Sequence, residues 1–235
     1  MQYRGPSGVF LSIEVLVTQL GFPFAPTAKR AAVFVDGQNL YHCVKEAFGY
    51  TYPNYSFPPL ALKICRQNGW EAKLIHFYSG VPDAADDPHW HTFWANKLRF
   101  MGWQGVKVFC RPLRYRNETV VIGGAQHTIR VAREKGIDVR MAIDIIRLAL
   151  RKEYDVALIF SQDQDFSEVA DEVRVIAEEQ QRSMHVASAF PMSSDKANKR
   201  GINNTQWVPF DRNLYDSCLD TRDYVRLAGG GRVER

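Results

Sequence analysis

Five short, largely apolar runs punctuate the chain: AAVFV at 31–35, KLIHFY at 73–78, VKVFC at 106–110, VALIF at 156–160 and MHVASA at 184–189. Continuous apolar runs of this length suit strands buried on both faces rather than the alternating strands of a sheet with one wet side. Between them lie stretches of helical character: Leu40–Phe48, Pro58–Gln67, Pro88–Phe100, a helix capped by Asp138 that continues through Leu150, and Asp165–Glu179. The second of these opens on prolines, which fit a first helical turn because their missing N–H is not needed there. Repeated strand–helix–strand order implies right-handed crossovers and a mainly parallel sheet covered by helices on both sides. The expected fold is therefore an open α/β sandwich, with ligands bound beyond the carboxyl ends of its strands. One stretch breaks the pattern, because RYRNETVVIGGAQHTIRVAR at 114–133 reads as a small hairpin excursion turning at Gly-Gly.

The chain has 235 residues, 46% hydrophobic and 24% charged, which suits one large domain and excludes a mostly disordered or collagen-like polymer. Residues 1–29 end in the proline-rich GFPFAPTAK and read as an N-terminal appendage. Residues 30–190 form the domain, 191–220 an extension packed on it, and 221–235, with LAGGGRVER, a loose tail. The four cysteines have no C-x-x-C spacing, so a structural zinc site is not indicated and reduced thiols in a cytoplasmic protein are expected. No run approaches the roughly 18 apolar residues of a membrane span. Val9–Leu20 resembles a short signal core, but Glu14 within it and the lone Arg4 before it argue against export.

The strand ends carry the chemistry. Asp36 follows AAVFV in VDGQN, with Asn39 close behind; Asp163 and Asp165 follow VALIF in SQDQDF; Asp138, in KGID, opens a helix facing the same edge. Four carboxylates are thus expected on one lip, where like charges would raise one another's pKa. A divalent cation relieves that repulsion, and oxygen ligands without a Cys/His set favour Mg²⁺ or Mn²⁺, one or two ions. Such a site activates water and neutralises a phosphate, which is metal-assisted phosphodiester hydrolysis. It also sets a structural requirement: ions that share a site lie within roughly 4 Å, so the carboxylates must converge to that degree.

Each acid has a plainer alternative. A single Asp after a strand is commonly a turn former or helix cap, and Asp138 alone would be an N-cap. Asp144 is a weaker metal ligand, about 120° from Asp138 around the helix. It also stands between Arg140 and Arg147 at ion-pairing spacing. There is no G-x-G-x-x-G after the first strand, no phosphate-binding G-x-x-x-x-G-K-[ST], no G-x-S-x-G and no H-E-x-x-H. His89 and His91, in PHWHTFW, read as helix-surface or packing residues.

VFVDGQNLY at 33–41, EKGIDVRMAIDII at 134–146 and YDVALIFSQDQDFSEVADEVR at 154–174 resemble the NYN domain, the LabA-like branch of the PIN-like ribonuclease superfamily, over about 31–190. The segment AFPMSSDKANKRGINNTQWVPFDRNLYD is similar to the C-terminal extension of bacterial members. The resemblance implies a Rossmann-like three-layer α/β/α sandwich and an acidic cluster that binds Mg²⁺ or Mn²⁺ for RNA cleavage. By motif it makes Asp36, Asp138, Asp163 and Asp165 the catalytic, metal-binding acids, with Asp144 the later helix acid and Asn39 a helper to Asp36. Ser161 is a supporting residue that would orient ligands or water. One position departs: Gln162 stands where the family commonly has glycine, which puts the backbone beside Asp163 in question.

Charge is unevenly distributed. Residues 97–152 carry 13 Lys/Arg against 4 acids, while residues 153–180 carry 9 acids and one Arg. The net charge of +4 comes entirely from the two ends, 1–30 and 221–235, so the pI says little about partners. Arg111, Arg114, Arg116, Arg130, Arg133 and Lys135 surround the expected hairpin and could grip a phosphate backbone, the plainer alternative being a solvated surface. Lys196, Lys199 and Arg200 form a second, weaker phosphate-contact group, and Tyr41, Tyr115 and Trp207 are aromatic residues able to stack on bases. The expected partner is RNA, single-stranded or structured, and a homodimer is compatible with the chain. The leading expectation is a metal-dependent ribonuclease. Its alternatives are an RNA-binding or regulatory module with weak or no cleavage, favoured by Gln162, and a small-molecule phosphohydrolase.

Overall fold

The structure, a computed structural model, describes residues 28–194 and 197–226. Most of the N-terminal appendage, Lys196 and the end of the C-terminal tail lie outside the described residues. The strands β1 (Lys29–Asp36), β2 (Trp70–Val81), β3 (Lys107–Pro112), β6 (Val156–Phe160), β7 (His185–Pro191) and β8 (Gln206–Phe210) form one sheet in the order β3-β2-β1-β6-β7-β8. Every neighbouring pair in it is parallel. Helices α1 (Gly37–Phe48), α2 (Phe57–Gln67) and α3 (Pro88–Trp103) cover one face, and α4 (Ile137–Leu150) and α5 (Phe166–Glu179) the other. The short α6 (Arg212–Asp216) follows β8. This is the expected Rossmann-like sandwich with a parallel sheet.

The alternation of β1 explains how the layers hold. Ala31, Val33 and Val35 point to the first helical layer, Ala32 and Phe34 to the second, and all five are fully buried. On α1, Leu40, Val44 and Phe48 recur every fourth residue and form its buried stripe. Burial of each such side chain contributes about 1.5–3 kcal/mol. The helix starts where Asp36 Oδ1 accepts the Asn39 N–H at 2.9 Å and stops at Gly49, whose φ of 77° lies in the left-handed region.

The hairpin is formed by β4 (Arg114–Ile122) and β5 (Ala125–Arg133), antiparallel and turning at Gly123-Gly124 as expected. It stands largely in solvent. Three expectations need correction. MHVASA is not the last strand, because QWVPF adds β8 at the sheet edge; Pro209 obscures this pattern, yet an edge strand tolerates its missing N–H. Asp138 does not cap α4: Gly136 occupies the N-cap with φ 73°, and Asp138 lies in the first turn. The tail is not loose over 221–226, since Tyr224 is buried and its carbonyl accepts from the Asn96 side-chain amide at 2.7 Å. Lys97 secures the same segment, buried between the Tyr55 and Tyr224 rings with its Nζ 3.7 Å from Asp220.

Candidate active site

Strand order reverses between β1 and β6, the two strands at the centre of the sheet. A crevice opens beyond the carboxyl ends of strands at such a switch point. Asp36 ends β1 and Asp163 lies three residues past the end of β6, so the pairing of two strands remote in sequence brings them to one place. Asp138 arrives on the first turn of α4. A cavity of about 350 Å³ is lined by Asp36, Asp138, Asp163, Glu134, Lys135, Gly136 and Ile137.

Glu134 is the acid that the sequence reading missed. It sits one residue after β5, where the returning hairpin delivers it into the cavity, and its Oε1 is buried without a hydrogen-bond partner. Burial and the nearby charge of Asp36 push its carboxyl up to about 8. Its one signal in the sequence is its place directly before K-G-x-D, a single acid within a basic stretch. Burial also pushes Asp36 up, to about 6, assisted by the charges of Asp163 and Asp138 and opposed by the Asn39 and Gln38 backbone N–H groups.

The supporting residues act through geometry. Asn39 Oδ1 accepts the Gln162 N–H at 3.0 Å, joining the loop after β6 to the start of α1. Ser161 Oγ accepts the Asp163 N–H at 3.1 Å, and Asp163 Oδ1 accepts the Asp165 N–H at 3.1 Å. Gln162 has no positive φ, so a side chain is accommodated there without backbone strain. Its Nε2 donates to the Arg200 carbonyl at 2.5 Å and the Asn198 carbonyl at 3.4 Å. Gln164 donates to the Gly201 carbonyl and accepts from the Asn203 N–H, at 3.1 and 3.0 Å. Together the two glutamines hold the segment bearing Lys199 and Arg200 against the β6 lip.

Two of the expected ligands do not join the cavity. Asp165 is exposed at the N-cap of α5 and is not among the lining residues, because the turn beginning at Asp163 directs it outward. Asp144 is buried on α4 and already satisfied: Arg140 Nε and Tyr78 OH donate to one oxygen at 2.8 and 3.0 Å, and Arg147 donates to the other at 2.6 Å. These partners hold its carboxyl below the usual range despite its burial. Nor do the remaining acids form a ready-made cage, since among the described residues no three His, Cys, Asp or Glu side chains are placed to hold a metal ion directly. The convergence expected from the sequence is therefore only partly met. The donors nonetheless suit Mg²⁺ or Mn²⁺ bound through one or two carboxylates with waters filling the other positions, and the orphaned Glu134 oxygen offers a further hard donor.

The basic residues divide into two groups. Arg114 and Arg133 face each other at the base of the hairpin, and Lys135 reaches the cavity rim. Arg111 lies over the Phe109 ring with NH1 3.4 Å from the Lys135 carbonyl, and a Cβ at Gly136 would meet that NH1 at 2.7 Å. Glycine at 136 is favoured by its φ of 73°, while the exposed Arg111 guanidinium could swing aside from a Cβ there. Arg133 pairs with Glu118 at 2.7 Å, and Arg130 pairs with Asp86 at 2.5 Å while stacking on Tyr115. Arg114, Arg116, Lys199 and Arg200 are exposed, Arg200 with one N–H on the Asn203 side chain at 3.2 Å.

Residues 30–199 match the family model of the NYN domain. Among solved structures, the chain is similar to a protein of unknown function, VPA0982, from Vibrio parahaemolyticus, at 17% identity with a TM-score of 0.50, covering 81% of this chain and 98% of that one. That likeness shows the fold. A fainter overlap with MurG from Acinetobacter baumannii has a TM-score of 0.30 at 12% identity, covering 77% and 45% of the two chains. No curated protein matches. Among the described residues no helix is long and apolar enough to cross a membrane.

Proposed function

The chain belongs to the NYN domain family, whose fold is of the PIN-like nuclease type, and from that premise we propose that it is a divalent-metal-dependent ribonuclease. The observation carrying this reading is the meeting of Asp36, Asp138, Asp163 and Glu134 in one cavity at the switch point of the sheet. Asp36 and Asp163 would hold the ion, with Asp138 and Glu134 completing its surroundings through water. Bound there, Mg²⁺ or Mn²⁺ would polarise the phosphate and supply a water of lowered pKa.

The chain's own residues do the rest. The Asn39 N–H holds the Asp36 carboxylate and Ser161 the Asp163 backbone, so neither acid must reorganise as charge builds on the phosphate and leaving-group oxygens. Lys135 at the rim, with Arg111 bonded to its carbonyl, would face the phosphates on either side of the bond to be cut. Arg114, Arg116, Lys199 and Arg200 are exposed cations that would be free to meet further phosphates of the strand.

A binding-only module is favoured by one observation, the lack of a direct three-ligand metal cage among the described residues. Incubation with labelled single-stranded RNA, structured RNA and DNA, in Mg²⁺, Mn²⁺ or EDTA, separates the readings. The expected result is RNA cleavage that requires metal and falls to background in Asp36→Asn. RNA binding without cleavage in either metal makes the protein a binding module. Turnover of nucleotide phosphates alone makes it a small-molecule phosphohydrolase.

A further inference from the structure

We propose that a second cavity beside the carboxylates is a nucleobase subsite, receiving one unstacked base of the RNA strand whose phosphate lies at Asp36. The proposal rests on the ribonuclease reading and deepens it. The cavity holds about 340 Å³ and is walled by the rings of Tyr41, Trp90 and Trp94, with the Gln38 side-chain amide supplying a polar group. Flat aromatic walls with a side-chain amide suit an unstacked base, which buries its faces and offers donors and acceptors at its edge.

Two glycines place this cavity against the carboxylate site. Gly37 follows Asp36 directly and lines the aromatic cavity; a Cβ there would meet the Phe77 ring at 2.7 Å. Gly80 is the partition between the cavities. A Cβ at Gly80 would meet the Leu113 side chain, Gln38 Nε2 at 3.2 Å and Glu134 Oε1 at 3.3 Å. Leu113 and Gln38 belong to the aromatic cavity and Glu134 to the acidic one, so a single residue's backbone separates the two.

The rings are held: Trp94 belongs to the core, and Trp90 packs against it without being buried. Asp87 Oδ1 accepts the Trp90 N–H at 3.0 Å and so fixes Trp90 in the first turn of α3. The Tyr41 hydroxyl donates to the Thr51 carbonyl at 2.9 Å, orienting its ring. Trp94 packs on Phe77 and is nearly buried, whereas Trp90 and Tyr41 are only half-buried and leave their sides of the cavity open. The exposed side of Trp90, within the run PHWHTFW, thereby acquires a use beyond packing against the core.

The test is a cycle between protein variants and RNA lacking one base. Affinities for a labelled single-stranded oligoribonucleotide, and for versions with an abasic site moved along it, are measured by anisotropy with Ca²⁺ replacing Mn²⁺. Trp90→Leu and Gln38→Ala are compared with the unaltered protein; Gln38 lies outside the core, so its variant guards against misfolding of the first. The expected result is about tenfold weaker binding of intact RNA by Trp90→Leu, within the contribution of one stacked base. One abasic position should weaken the unaltered protein to a similar degree and abolish the difference between it and the variant. If the unaltered protein cuts RNA in Mn²⁺ but no position shows this coupling, the subsite is overturned and the ribonuclease reading stands. If the unaltered protein neither binds nor cuts RNA, both fall.

Discussion

Glu134→Gln should make the metal-free protein more stable at neutral pH, an unusual outcome for replacing an acidic residue in a cavity. The Glu134 carboxyl has an ordinary value of 4.5 and a folded value of about 8. Because the folded value is the higher, the folded state binds the proton more tightly, and stability is fully present below pH 4.5 and lost as pH rises through 8. At pH 7 the carboxyl must take up a proton to fold, which costs about 3 kcal/mol at 1.36 kcal/mol per pH unit. Glutamine has the shape of the protonated acid and carries no such cost. Urea unfolding in EDTA at pH 5, 6, 7 and 8 measures this, with the midpoint shift converted through an unchanged m-value. The variant's advantage should be near 1 kcal/mol at pH 5 and grow to about 3 kcal/mol at pH 7. Asp36, at about 6, adds a parallel decline between pH 3.8 and 6 that both proteins share. A variant that is less stable at pH 7, or an advantage that does not grow with pH, would refute the view of Glu134 as a largely buried carboxyl that only the Gly80 backbone N–H helps to keep charged.

Three further outcomes follow from the same geometry. Asp144→Asn should lower stability by about 1–3 kcal/mol, the cost of weakening charged hydrogen bonds at a buried site, while leaving metal-dependent cleavage measurable; loss of cleavage with unchanged stability would return Asp144 to the metal site. Gln162→Gly removes the clamp on the Asn198 and Arg200 carbonyls, so amide exchange across 197–203 should accelerate while β6 stays protected, and mass spectrometry of exchange reads both. If RNA meets these exposed cations, Arg114→Ala combined with Arg116→Ala should reduce the slope of log affinity against log salt by about 0.7 for each phosphate that is no longer neutralised; an unchanged slope would show that the hairpin arginines do not touch the strand.

Much of the candidate site was legible because it is local. Asp36 and Asp163 closely follow buried strands, and in a parallel sheet such positions lie at the ligand-binding edge whatever the rest of the chain does. What the sequence left open concerns residues whose fate depends on neighbours distant in sequence or on details of a turn. Asp165 has the same sequence credentials as Asp163, but the turn that starts α5 sends it to solvent. Asp144 lies within helical reach of Arg140 and Arg147, so its ion pairs were foreseeable; its burial under the Tyr78 hydroxyl of β2 was not. Gln162 looked like a disturbance beside Asp163, yet it serves as a tie to a segment nearly forty residues on.

By itself the sequence determined the elements and the lip: hydrophobic period and turn chemistry are properties of adjacent residues, and they place strands, helices and the aspartates between them. Only the tertiary structure decided which carboxylates share a cavity. The pairing of β1 with β6 joins Asp36 to Asp163, the return of the hairpin inserts Glu134, and Gly80 sets the aromatic cavity against the acidic one. These are contacts between segments remote in sequence, governed by register and close packing, and no local pattern encodes them.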